Sequence, residues 1–146
     1  MKHKIVLTAL VAWMGLVACS PRPVPGPATP VPAALAGSTW TLVEVDDRPA
    51  EPGAGARPAT ITFAADRATG FLGCNQFGAP YEASGGALRF QAVVSTRMAC
   101  SAGMELERDF TAALEATRSY RRGVAVLELV GENGVLARFA ASPQAR

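Results

Sequence analysis

From residue 37 onward, hydrophobic positions recur at short alternating intervals that predict β-strands. Trp40-Thr41-Leu42-Val43-Glu44-Val45 is rich in β-formers, with Trp40, Leu42 and Val45 marking a buried side, and reads as the first strand. Residues 46–58 carry Pro49, Pro52, Gly53 and Gly55 and read as loop. Thr60-Ile61-Thr62-Phe63 points Ile61 and Phe63 inward, Ala65-Asp66-Arg67 is a turn, and residues 68–72 return as a strand. Gly73-Cys74-Asn75 reads as a bend where the backbone needs freedom. Residues 77–82 begin another strand, which Pro80 restricts to an edge or a bulge. Gly85-Gly86 turns into residues 87–90, where Leu88 and Phe90 share a face, and residues 93–96 fit either strand or loop.

Helical periodicity is convincing in one place. Leu106, Phe110, Ala113, Leu114 and Thr117 fall at i, i+4, i+7, i+8 and i+11, which predicts a helix over 101–121. Ser101 can cap its start. Glu105, Glu107 and Asp109 lie early and Arg118, Arg121 and Arg122 late, as the helix dipole favours, and Gly123 suits the position just past the end. Residues 124–130 and 135–140 then form a hairpin across Glu132-Asn133-Gly134. Several short antiparallel strands, one helix and a final hairpin make an α+β domain.

The N-terminal residues are patterned differently. Lys2 and Lys4 precede an apolar stretch from Ile5 to Ala18, interrupted by Thr8 and Gly15. A spanning helix needs about 20 apolar residues, whereas a positive start, a shorter apolar run and small residues mark a secretory signal. Leu16-Val17-Ala18-Cys19 resembles the bacterial lipobox, which implies cleavage after residue 18 and lipid, palmitate included, on Cys19. The alternatives are an ordinary signal peptide with a chance cysteine, or an uncleaved anchor. In the lipoprotein pattern Ser20, rather than aspartate, implies the outer membrane, with the domain facing the periplasm. Each buried CH₂ contributes roughly 0.8 kcal/mol, so several acyl chains would hold stably. Residues 19–36, with Pro21, Pro23, Pro25, Pro27, Pro30 and Pro32, read as an extended tether. Residues 37–141 then form one domain and 142–146 a tail.

Removing the signal changes the charge and the chemistry available. Both lysines lie in it, so twelve arginines meet twelve acids in the remainder. The only dense basic step is Arg121-Arg122, which argues against nucleic acid as a partner. The single histidine, His3, leaves with the signal, which excludes Ser-His-Asp and Cys-His catalysis and the usual zinc sites. Asp46-Asp47 is the obvious carboxylate pair, but neighbours on a strand point to opposite faces and in a loop are solvated. No catalytic residue, metal or cofactor is expected. With Cys19 assigned to lipid, Cys74 and Cys100 in an oxidising envelope read as one disulfide; two buried free thiols are the other reading. A bridge would bring Asn75 together with Thr96 and Arg97. These residues either satisfy local backbone groups and acids or line a recognition surface.

The order of elements resembles the META domain family of HslJ-like lipoproteins. The residues carrying it are Trp40, Gly70, Gly73-Cys74-Asn75, Tyr81, Leu88, Phe90, Thr96-Arg97-Met98-Ala99-Cys100, Phe110, Leu114, Leu127 and Leu129. The combination GCN…TRMAC is the specific part. One departure is Ala79, where the family usually has glycine two residues before the tyrosine. The resemblance implies a small, partly closed antiparallel β-barrel with one helix packed across it. It implies no agreed reaction. The expected function is a non-enzymatic envelope lipoprotein, anchored to the membrane through Cys19, that binds a hydrophobic small molecule, lipid or protein partner in envelope maintenance or stress. The alternative is a structural or chaperone-like interaction module of the envelope.

Overall fold

Strand β1 (Ser38–Val45) is the hub of the fold, because it pairs on both sides. The computed structural model describes residues 35–142; the lipobox, Cys19, most of the proline-rich segment and residues 143–146 lie outside the described residues. On one side β1 pairs antiparallel with β3 (Thr60–Phe63), from Ser38 opposite Phe63 to Thr41 opposite Thr60. On the other it meets β10 (Val135–Ala141), from Trp40 opposite Ala141 to Val45 opposite Ala137. The β1–β10 register slips between Leu42 and Glu44. Val43 is the extra residue of this bulge and is exposed, which lets Trp40, Leu42 and Val45 all face inward despite their broken alternation.

From β3 the chain turns through Ala64-Ala65-Asp66 into β4 (Arg67–Phe71), and β4 pairs with β5 (Gln76–Ser84). The hairpin at Gly85-Gly86 leads to β6 (Ala87–Phe90). The ring continues through β8 (Ser119–Arg122) and β9 (Val126–Val130) to β10, so eight antiparallel strands close into a barrel. Closure removes the exposed sheet edges that an open sheet would leave. Two short strands lie off the ring: β2 (Arg48–Pro49) against β1, and β7 (Val94–Ser95) against the first half of β5.

The helix α1 (Met104–Ala116) is shorter than expected. Residues 101–103 precede it, its N-cap is Gly103 rather than Ser101, and no side chain caps it. Thr117 turns extended and its buried hydroxyl donates to the Ala113 carbonyl at 2.7 Å. Arg118 donates to the carbonyls of Glu115 and Thr117, and the chain then leaves the helix. Residues 119–122 become β8 because the barrel needs a strand between β6 and β9. Its pairing with β9, from Ser119 opposite Val130 to Arg122 opposite Leu127, overrides the helical pattern. Gly123 accordingly sits in the β8–β9 turn, not behind the helix.

Two further expectations change. The sequence restricts Pro80 to an edge or bulge, yet β5 is paired on both sides. The Gln91 N–H donates to the Pro80 carbonyl just past the end of β6, so the N–H that proline lacks falls where that ladder has stopped. Residues 46–58 were read as loop, but Asp46 and Asp47, both at positive φ, form a two-residue turn that starts β2. Leu35, counted with the proline-rich tether, is fully buried, and Ser38 donates to its carbonyl through both N–H and Oγ.

The barrel interior is filled with side chains. Trp40, Ile61, Phe63, Leu88, Leu127, Leu129 and Phe139 are almost fully buried, and α1 adds Phe110 and Leu114. Phe110 lies between Phe77 (5.9 Å) and Phe139 (5.6 Å), and the Phe63 and Tyr81 rings meet edge-on at 5.3 Å. Aromatic contacts of this kind add about 0.5–1.5 kcal/mol each to area burial. Ala79, the departure noted above, is fully buried in β5.

Candidate functional site

The bend between β4 and β5 and the start of α1 meet at three backbone positions. Gly73, at φ +123, approaches Gly103, at φ +87, so closely that a Cβ on either would strike the other's carbonyl oxygen. The Ala54 N–H donates to the Gly73 carbonyl at 2.7 Å, which brings the β2–β3 loop to the same point. Glycine is required here by both backbone angle and contact distance.

Beside this junction Cys74 and Cys100 form a disulfide, with their Cα atoms 5.9 Å apart. The bridge closes 26 residues of sequence, which on the chain-entropy model contributes about 3–4 kcal/mol. Next to it Asn75 is 2% exposed and every polar atom is used. Its Oδ1 accepts from Thr96 Oγ1 and from the Met98 N–H, both at 2.8 Å. Its Nδ2 donates to the Met98 carbonyl at 3.2 Å and to the Glu107 carboxylate at 3.0 Å, and its backbone N–H reaches the same carboxylate at 2.9 Å. Thr96 Oγ1 also accepts from the Gln76 N–H.

The sequence places Asn75, Thr96 and Arg97 together, and the structure brings their segments together. Asn75 is not part of a recognition surface, however: it is buried and spent on the fold. Thr96 is exposed, but its hydroxyl is committed to Asn75 and Gln76. Arg97 is exposed and makes no ion pair among the described residues. Glu107 was read as a dipole residue only; its role as the helix's anchor to Asn75 is missed because it spans 32 residues of sequence. Its position next to the Leu106/Phe110 stripe is the available signal. Asp46 and Asp47 serve as the β1–β2 turn, and no group of three His, Cys, Asp or Glu gathers in metal-binding geometry among the described residues.

A cleft runs outside the barrel between α1 and the β1–β2 turn. One part, about 350 Å³, is lined by Val45, Arg48, Pro49, Pro52, Leu106 and Asp109, among others. A second part of about 240 Å³ shares Val45 and Asp109 and continues over Ala112, Ala113, Ala116 and Leu136. Its floor is apolar and its rim ionic. Arg48 reaches Asp109 at 2.7 Å, Asp46 at 3.4 Å and Glu105 at 3.5 Å. The charge and hydrogen bond of Asp109 hold the Arg48 guanidinium above its ordinary pKa, with smaller help from Asp46 and Glu105. Exposed pairs of this sort contribute little to stability.

A family model described as META domain matches residues 33–143. The chain belongs to the META domain family. A protein from Burkholderia xenovorans, solved by NMR, is 30% identical over 86% of this chain and 96% of its own, with a TM-score of 0.60. A DUF4847 family protein from Bacteroides vulgatus, solved by crystallography, shares the fold at 19% identity, covering 76% of this chain and 96% of its own, with a TM-score of 0.53. No curated protein matches the chain. The matched span takes in both Cys74 and Cys100.

Proposed function

We propose that this META protein is a non-enzymatic lipoprotein of the cell envelope, anchored by lipid on Cys19, that binds outside its barrel. The partner is a hydrophobic molecule or the apolar segment of an envelope protein, taken into the cleft along α1. The observation that carries this reading is the filled interior: with Trp40, Phe63, Phe110 and Phe139 occupying the core, space for an apolar group lies along Val45, Ala112, Ala116 and Leu136. The sequence supports it too, since Leu16-Val17-Ala18-Cys19, ahead of the domain, resembles a lipobox whose cysteine would carry the lipid.

The neutral apolar dye N-phenylnaphthylamine tests the cleft. Its fluorescence is expected to rise on binding the chain and to lose that rise with Ala112→Trp, which fills the cleft from an exposed position without entering the core. Undiminished dye binding by Ala112→Trp, with a native circular dichroism spectrum, would overturn the assignment.

A further inference from the structure

The β8–β9 hairpin carries a second exposed apolar feature at the other end of the molecule. Residues 121–126 are all exposed, Val124 is 99% exposed and Val126 47%. The turn itself is closed by the Gly123 N–H donating to the Val126 carbonyl at 2.8 Å, so the valine at its tip is held out by a defined backbone. Arg121 and Arg122 precede it. Arg121 pairs with Glu128 at 2.9 Å, while the Arg122 guanidinium lies 5.2 Å from the Trp40 ring centroid and makes no ion pair among the described residues.

The register shows where this tip lies. Val126 stands opposite Ala140, and the Ala141 N–H donates to the Ala125 carbonyl at 2.9 Å. Ala141 stands opposite Trp40 near the start of β1, and Ser38 holds the Leu35 carbonyl. The tip therefore sits beside the point at which the chain arrives from Cys19. The α1 cleft, built on Val45 and Leu136, lies toward the opposite ends of β1 and β10.

We propose that the β8–β9 hairpin tip, Val124 to Val126 with Arg122 behind it, rests on an anionic phospholipid surface and turns the α1 cleft away from the membrane. The inference rests on the lipoprotein reading above. Cys19 precedes Leu35 by 16 residues, a length that spans at most roughly 55 Å. A tether this short keeps the tip at high effective concentration near the bilayer, so one apolar wedge with a cation behind it suffices. The charge suits lipid phosphate: Arg121 is paired with Glu128, while Arg122, beside it at the tip, makes no ion pair among the described residues. An exposed valine just past an arginine is the chemistry of a membrane interface, where apolar side chains enter the headgroup region and guanidinium groups stay with the phosphates.

Tryptophan depth measurements test the orientation. The lipidated chain is placed in vesicles of phosphatidylcholine and phosphatidylglycerol with brominated acyl chains, as Val124→Trp or as Glu132→Trp at the opposite end of β9, and each signal is read as its difference from the unsubstituted chain, which reports Trp40. Quenching is expected to be at least about three-fold greater at residue 124, to fall when phosphatidylglycerol is omitted, and to leave residue 132 unaffected. Equal quenching at the two positions overturns the proposal. So does a residue-124 emission that shifts only with protein concentration, which would make the tip a contact between copies. Intact mass of the membrane-extracted chain reports separately on Cys19. Should Cys19 prove unmodified, the same comparison on the chain from Ser20, tethered by an N-terminal histidine tag to nickel-chelating lipid, still decides the fate of the hairpin.

Discussion

Asn75 shows how much of this fold passes through one side chain. Its amide is buried and joins the bend after β4, the Thr96–Met98 segment and Glu107 on α1. Asn75→Ala removes the hydrogen bonds to the Met98 N–H and the Thr96 hydroxyl, at about 0.5–1.5 kcal/mol each, and the charge-assisted bond to Glu107, at about 1.5–3 kcal/mol. Urea unfolding is expected to show a loss of about 2–4 kcal/mol, well beyond a surface substitution; a loss below 0.5 kcal/mol, of the size typical of surface changes, would remove Asn75 from this role. Tyr81 gives a second test. Its hydroxyl donates to the Ala64 carbonyl at 2.6 Å, and burial first, then the Asp66 charge and Tyr120, hold its pKa above that of an ordinary tyrosine. The unfolded chain therefore loses this proton first as pH rises. Stability from Tyr81 is full below about pH 10 and declines as pH climbs from there through the folded pKa. The chain has two tyrosines, so ultraviolet titration of the Tyr120→Phe variant isolates the phenol, which is expected to ionise above the usual range and to return to it on urea denaturation.

At the scale of elements the barrel has one narrow seam. β1 and β10 pair from Trp40 to Val45, whereas β6 and β8 share the Ala87–Ser119 pair and the bonds Leu88 N–H to Arg118 carbonyl and Tyr120 N–H to Gly86 carbonyl. Native-state hydrogen exchange is expected to release the Leu88 and Tyr120 amides before those of the β1–β10 ladder; the reverse order would contradict this account of closure. Much of the strand pattern is legible in sequence because alternation at Thr60–Phe63 and 87–90 reports directly on a half-buried surface. The end of α1 is not. Tyr120, Arg121 and Arg122 are acceptable in a helix, and only the need for a partner between β6 and β9 makes them a strand. β2 and β7 hold two residues each, too few for periodicity to register.

At the scale of the whole molecule, closure and filling of the barrel leave the open space outside it, in the cleft along α1. The sequence contains both halves of the Cys74–Cys100 bridge and groups Asn75 with Thr96, and the two are hydrogen-bonded, but burial makes Asn75 part of the frame, while the cleft is lined by Arg48, Leu106, Asp109 and Ala112, residues that no local pattern unites. Leu35 likewise looks like tether among prolines and alanines, yet its side chain lies in the core. Such facts depend on contacts distant in sequence. The proposed anchor differs in kind, since it rests on four consecutive residues that resemble a lipobox, and the account of a membrane-held domain with an outward-facing cleft depends on it. Intact-mass measurement of the chain extracted from bacterial membranes tests that claim most directly. The account predicts a polypeptide beginning at Cys19 and carrying acyl groups, with Cys74 and Cys100 resistant to alkylation until reduced. A chain beginning at any other residue, or a Cys19 that bears no lipid, would contradict it.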